Sequence, residues 1–439
     1  MKKFKNFIKK HTWILILLVS LLFIPQSFNY QAKLNMRVLV SGLAIDKTDV
    51  GYEVTAQVIM PTAGSEGGGQ GARLDFISEK GESIGEGIQK IAYKIGKTAG
   101  LSHTSFVMVG EDMLKENLAS ALDYFARDAK VNPSLMLVVC SGKAKDMIQE
   151  TKNLELSVAV GLQKVFIYKQ SSLNAMVIPL EEFINDSFGL AKSAMVGGIL
   201  IAPEGEEELT EGVNGSEEKQ TSQSQETGGA SGLSQQSSSK GDAGSTEKQS
   251  SNQEKKARIK FFNDIYYFKE GKYVNKLDSE KEILGAYLTE KHATSGDLKI
   301  SGVSGGILED ATIGLTFTNK NTGISIKFKK GNPILVYNIK IRDVQITEVL
   351  NKDKPTVNLY NKQDEEMLQL IEEKLKEEIE LCIRSAFEKA QKDGVDIFNV
   401  GERAYQLKYK EWIKYYEEHG ENYLKNADIE VNVDIRNIN

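Results

Sequence analysis

Arg37–Ile45 is a mostly apolar run, apolar and polar residues alternate along Tyr52–Met60, and the turn Asp46–Gly51 lies between them. This is the pattern of a β-hairpin. Pro61 stops the second strand, and a glycine-rich run, Gly64–Gly71, follows. The period then becomes helical. Ser83-Ile-Gly-Glu86 has the spacing of a capping box and opens the stripe Ile84, Ile88, Ile91, Ile95. Thr104–Val109 predicts a strand, and Glu111–Arg127 a helix through Leu114, Leu118, Leu122 and Phe125. Leu135–Val139 predicts another strand and Lys143–Thr151 a short helix. Strands alternating with helices imply an α/β layer domain over 33–150.

Beyond it, a helix is expected near Leu154–Val165 and a strand at Met195–Ile201. Residues 204–256 then consist almost wholly of Ser, Gln, Glu, Gly and Lys, with only Leu209, Val213 and Leu233 of any apolar size. Such a stretch cannot bury enough surface to offset chain entropy, so disorder is expected. Arg258–Phe268, a turn at Glu270-Gly271 and Tyr273–Leu277 read as a hairpin. With a strand before it and a hairpin after it, 204–256 is expected to be an insertion within a second domain, 151–300. The last third, 301–439, reads as an α+β domain. Strands are expected near Leu298–Gly302, Gly306–Thr318, Ile324–Phe328 and Ile334–Val349. A long helix follows over Asp364–Lys392, striped by Met367, Leu368, Ile371, Leu375, Ile379, Ile383, Phe387 and Ala390, and ended by Asp393-Gly394. An aromatic helix around Trp412–Glu418 and a strand at Asp428–Ile435 close the chain. The expected fold class is therefore mixed α/β (α+β), in three domains.

The N-terminus changes the picture. Five lysines in residues 1–11 precede the apolar run Trp13–Ile24 and Pro25. A signal-type layout is one reading. No small-residue cleavage pattern follows, and no cysteine that could take a lipid. The expectation is that residues 1–32 form a retained signal-anchor, crossing the bilayer with Thr12–Phe28. Positive charge keeps the N-terminal end cytoplasmic, which places the body on the extracytoplasmic face; a cleaved signal would leave it on the same side.

The net charge of −6 over 439 residues hides a second asymmetry, since 204–256 carries eleven acids against five lysines. Nothing resembles the basic stripe of a nucleic-acid binder. The two cysteines, Cys140 and Cys382, lie in apolar patterns and are expected as buried free thiols. His11, His103, His292 and His419 lack metal-ligand spacing. The glycine-rich run lacks the Gly-Lys-Ser/Thr ending of a phosphate cradle, and no nucleophile turn of the Gly-x-Ser-x-Gly type follows a strand. No catalytic, cofactor-binding or metal residue is assigned, and the protein is not expected to be an enzyme.

What does stand out is aromatic density: Tyr405, Tyr409, Trp412, Tyr415, Tyr416 and Tyr423. On a helix Tyr409, Trp412 and Tyr416 share one face, with Tyr415 about a hundred degrees from Tyr416. One set is expected to pack inward and the other, with Tyr415, to meet a partner, which makes Tyr409, Trp412, Tyr415 and Tyr416 the candidate interface.

Several segments together resemble the Ger(x)C family, the C subunits of bacterial spore germinant receptors. They are Gly42-Leu-Ala-Ile-Asp46 with Tyr52–Pro61, Gly81-Glu-Ser-Ile-Gly-Glu-Gly87, His103 leading to Val109-Gly-Glu111, and Asp123-Tyr-Phe-Ala-Arg-Asp128. In the last third they are Gln391-Lys-Asp-Gly-Val-Asp-Ile-Phe398, Gly401-Glu402, Trp412 and Ile429–Ile435. The resemblance implies a three-domain protein on the outer face of the spore inner membrane. It also implies multi-spanning A-type and B-type partner subunits, a scaffold or coupling role in nutrient-triggered germination, and no cofactor. Family members are typically lipoproteins, whereas no cysteine follows the apolar run here. The rival expectation is an extracytoplasmic solute-binding protein, which needs a ligand cleft; a surface hydrolase is a third.

Overall fold

The computed structural model describes residues 37–61, 72–128, 131–132, 134–150, 176, 178–201, 259–291, 293–305, 308–350 and 365–438. The anchor expected at 12–28, the glycine-rich run 64–71, the helix expected at 154–165 and the insertion 204–256 lie outside them. Among the described residues no helix is long and apolar enough to cross a membrane.

The first half begins with β1 (Arg37–Thr48), β2 (Gly51–Pro61), β3 (Ala72–Gly81) and α1 (Ile84–Ile95). Then come β4 (Thr98–Gly100), β5 (Phe106–Gly110), α2 (Leu118–Ala121), α3 (Asp123–Arg127), β6 (Met136–Cys140) and α4 (Ala144–Glu150). After these follow β7 (Ile178–Pro179), α5 (Leu180–Phe188), β8 (Ser193–Ile201), β9 (Ile259–Lys269) and β10 (Lys272–Leu277). All ten strands make one sheet, ordered β10-β9-β8-β6-β5-β1-β2-β3, with β4 beside β1 and β7 beside β6. Its centre, β8-β6-β5-β1, is parallel, and its two sides are antiparallel hairpins. Every residue of β5 and β6 is buried. That is why both read as unbroken apolar runs, as strands covered on both faces do.

The boundary expected at 150 falls inside this sheet. β8, β9 and β10 extend the layer built by β1, β5 and β6, because β6 pairs with β8. The helix expected over Glu111–Arg127 is broken into a 3₁₀ turn, α2 and α3. Asn117 causes the break. Its side-chain oxygen caps α2 at the Ser120 N–H, 3.0 Å away, while its amide donates to the Glu270 carbonyl at 2.8 Å. The backbone is thereby pinned to the turn between β9 and β10.

The second half contains α6 (Glu280–Thr289), β11 (Gly296–Gly305), β12 (Leu308–Thr318), β13 (Asn321–Lys329), β14 (Asn332–Ile341) and β15 (Asp343–Leu350). It ends with α7 (Glu365–Lys392), α8 (Val400–Leu407), α9 (Tyr409–His419) and β16 (Asp428–Ile435). Two three-stranded sheets form, β11-β12-β15 and β13-β14-β16. The boundary expected at 300 lies within β11. The single strand expected over Ile334–Val349 is two, β14 and β15, which belong to different sheets. Ile341 and Val344 are both fully buried on either side of the crossing, so the apolar pattern runs through it without a gap.

The stripe of α7 faces the apolar core formed with β11, β12, β14 and α6; Ile371, Leu375, Ile379, Ile383 and Ala390 are buried. α6 starts with a complete capping box of Ser279 and Glu282. It lies so close to α7 that a Cβ at Gly285 would overlap the carbonyl oxygen of Cys382. Cys382 and Cys140 are both buried free thiols, in separate cores.

Gly285→Ala gains about 1 kcal/mol of helix propensity but forces backbone against backbone, an overpacking that costs roughly 1–3 kcal/mol and more where neither helix can shift. We expect a lower urea midpoint for the purified chain. A higher midpoint would mean that α6 and α7 do not cross this closely.

Candidate functional site

The turn after α7 carries the densest set of polar contacts between the two halves. Asp393 accepts hydrogen bonds from the Tyr267 hydroxyl and from the Asn275 amide, the latter at 2.9 Å. Gly394 turns the chain with φ 69°, and its carbonyl accepts from Lys269 Nζ at 2.8 Å. The Asp396 N–H donates to Ser193 Oγ at 3.1 Å. Strands β8, β9 and β10 thus all hold this one turn.

Asp396 itself is buried. Its carboxylate accepts from the Val400 and Gly401 N–H groups, both at 2.8 Å, and from Tyr423 Oη at 2.8 Å. The first two donors are the unsatisfied N–H groups at the start of α8, which suit a carboxylate by both geometry and dipole. Burial pushes the carboxyl above its usual range, and the three donors pull against that. Burial and the neighbouring Asp396 push the Tyr423 hydroxyl up. Gly401 is a glycine because a Cβ there would press on the Tyr423 ring. Gln391 completes the joint by donating to the carbonyls of Leu424 and Ala427, at 2.8 and 2.7 Å.

A second buried aspartate does the same in the first half. Asp46 accepts from the Ala144 and Lys145 N–H groups, at 2.8 and 2.9 Å, and so caps α4. Burial again raises its carboxyl. A Cβ on Gly110 would overlap Asp46 Oδ1, and Glu111 Oε2 accepts from the Gly142 N–H at 3.3 Å. The segments Gly42–Asp46 and Val109–Glu111 therefore meet at one helix start.

The aromatic residues divide differently from the expectation. Trp412 and Tyr415 are both buried. Tyr415, expected to face a partner, donates to the Tyr423 carbonyl at 2.8 Å and stacks on His419 with ring centroids 4.1 Å apart. Phe328 meets it edge-on from β13. The reason is spacing: Trp412 and Tyr415 are three apart and share a helix face as fully as Trp412 and Tyr416 do. Tyr416 sits at the margin, half-buried, its hydroxyl 3.2 Å from Glu421. Tyr409 is 55% exposed and packs edge-to-face on Tyr405, which is 40% exposed. Every residue from Tyr405 to Glu411 is exposed, and with Leu407 these two tyrosines form an apolar corner among Lys408 and Lys410. His103 is exposed, and among the described residues no three His, Cys, Asp or Glu side chains are placed to hold a metal ion.

The described residues thus form a two-part mixed α/β body with a buried carboxylate at the joint and an exposed aromatic corner. Residues 30–201 match the family description "Spore germination protein N-terminal domain", and 263–439 match "Spore germination B3/GerAC like, C-terminal". The chain belongs to this spore germination family. It is 21% identical over 433 residues to spore germination protein KC of Bacillus subtilis (strain 168), covering 97% of this chain and 94% of that one. YfkR of the same organism, which carries a provisional spore germination name, is 26% identical over 173 residues. That match covers 37% of this chain and 45% of the length of YfkR. The crystal structure of the GerBC protein aligns with 91% of this chain and 97% of its own at 14% identity, with a TM-score of 0.49.

Asp396→Ala leaves two backbone N–H groups and a buried hydroxyl without an acceptor. It should cost about 3 kcal/mol or more, whereas Tyr423→Phe, which removes one donor, should cost about 1–2 kcal/mol. Denaturant melts of both variants measure this. Equal stability of Asp396→Ala and the parent would remove the joint's claimed role.

Proposed function

We propose that this chain is the C-subunit-like component of a spore germinant receptor. It is held on the outer face of the spore inner membrane by residues 12–28 and acts as a scaffold that couples multi-spanning A-type and B-type subunits during nutrient-triggered germination. The carrying observation is that both family domains are present in order and account for most of the chain. The motif residues Asp46, Glu111, Asp396 and Gly401 build the joints of the fold. A scaffold needs a rigid body and a contact face. The rigid body is the joined pair of halves, and the contact face is the corner of Tyr405, Leu407 and Tyr409. Tyrosines dominate interface hot spots because they bury a large ring at small entropic cost.

Co-purification from spore membranes tests the reading. The double variant Tyr405→Ala/Tyr409→Ala should keep its melting temperature yet recover roughly tenfold less of the multi-spanning subunits, the equivalent of about 1.4 kcal/mol. Trp412→Ala, by contrast, should lower stability by about 3–5 kcal/mol, as large-to-small changes in a core do. Normal assembly of the double variant would remove the corner from the interface. Failure of the parent chain to recover any multi-spanning partner would sink the receptor reading itself.

A further inference from the structure

Strand β1 has two unlike ends. At one, the hairpin with β2 closes through Asp49 and Val50. At the other, β1 begins beside the end of β2 and beside β4, which pairs with Arg37–Leu39. The last turn of α1 lies at this end too, because only Gly96 and Lys97 separate it from β4. The length of Arg37–Thr48 sets the two ends roughly 35 Å apart.

The end at Arg37 carries apolar side chains turned out of the core. α1 buries Ile84, Ile88 and Ile91, whereas Tyr93, two residues past Ile91, points away from that face and is 84% exposed. On β1, Val38 and Val40 belong to the same core as α1, so Leu39 between them lies on the opposite face of the sheet. It is 44% exposed, beside its half-buried strand partner Ile59. Lys94 is held by Glu79, while Lys97 has no carboxylate partner among the described residues.

Exposed apolar residues that occur singly need no partner. These sit where the chain leaves for its N-terminal segment. Eight residues, 29–36, separate Phe28 from Arg37, so this end lies no farther than roughly 30 Å from residue 28. Tyrosine, an apolar ring with a polar tip, and lysine, an apolar stem below an ammonium, are suited to the headgroup layer of a bilayer.

We propose that the Arg37 end of β1 rests on the phospholipid surface, with Tyr93 and Leu39 entering the headgroup layer and Lys97 meeting lipid phosphate. Tyr93 and Leu39 lie on opposite faces of the sheet, so only an end-on posture brings both to one surface. Val50 is thereby held away from it. The proposal rests on the anchoring by residues 12–28 proposed above and adds an orientation to it.

Cys140 and Cys382 are buried, so one added cysteine on the full chain can carry a thiol-reactive fluorophore. The labelled chain is reconstituted in vesicles of phosphatidylcholine and phosphatidylglycerol that contain a headgroup-spin-labelled lipid. A probe at Thr98→Cys, an exposed position on β4, should be quenched about threefold or more strongly than one at Val50→Cys, at the far end of β1. Adding Tyr93→Asp and Leu39→Asp should bring the Thr98 probe near the Val50 level. Tyr93→Asp by itself should lower that quenching without changing the melting temperature, since so exposed a ring packs against little. Quenching at Thr98 that survives both substitutions would mean that the tether alone keeps this end near the membrane, and would overturn the proposal. Stronger quenching at Val50 would overturn it as well. A chain that does not float with the vesicles would remove the anchor, and the proposal with it.

Discussion

A carboxylate sealed away from water must be surrounded by donors, and at Asp396 the donors come from separate stretches of chain. Two are the first N–H groups of α8 and one is Tyr423, beyond α9. The backbone of the same residue reaches Ser193 at the head of β8. Fixing one side chain therefore fixes the direction of α8, the approach of the aromatic segment and the seat of the whole turn on the large sheet. Asp393, Gly394 and Gln391 reinforce the same turn from either side. The apolar core follows this seam: Ile265 and Tyr267 of β9 belong to one cluster with Ile379, Phe387 and Phe398.

That joint makes the two halves one body. They share a core and a polar seam. Lys192 adds a bridge across the seam, pairing with Glu270 at 3.1 Å and Glu421 at 3.2 Å. Exposed pairs of this kind contribute little individually; the buried carboxylate and the core carry most of the stabilisation.

Much of the architecture was legible because its signals are local. The hairpin of β1 and β2, the stripe of α7 and the limits of β16 follow directly from periodicity. The sequence pattern does not predict β3, α5, α6 or α8, although Ser279 and Glu282 spell out the capping box of α6. The break at Asn117 and the split between β14 and β15 could not be read locally, since each depends on a partner far along the chain. The same limit hid the site. Asp46 and Asp396 look like ordinary polar residues in short motifs, and only the fold shows that both cap helices from a distance. Spacings of three and four both include Trp412, and periodicity alone cannot choose whether Tyr415 or Tyr416 turns inward with it.

The central claim is that the turn at Asp393–Asp396 welds the two halves into one cooperative unit. Hydrogen–deuterium exchange of the full chain across a denaturant series tests it most directly. The account predicts that peptides covering 193–201 and 393–404 lose protection together, at one midpoint. Loss of protection over 393–404 at lower denaturant, with 193–201 still closed, would contradict it.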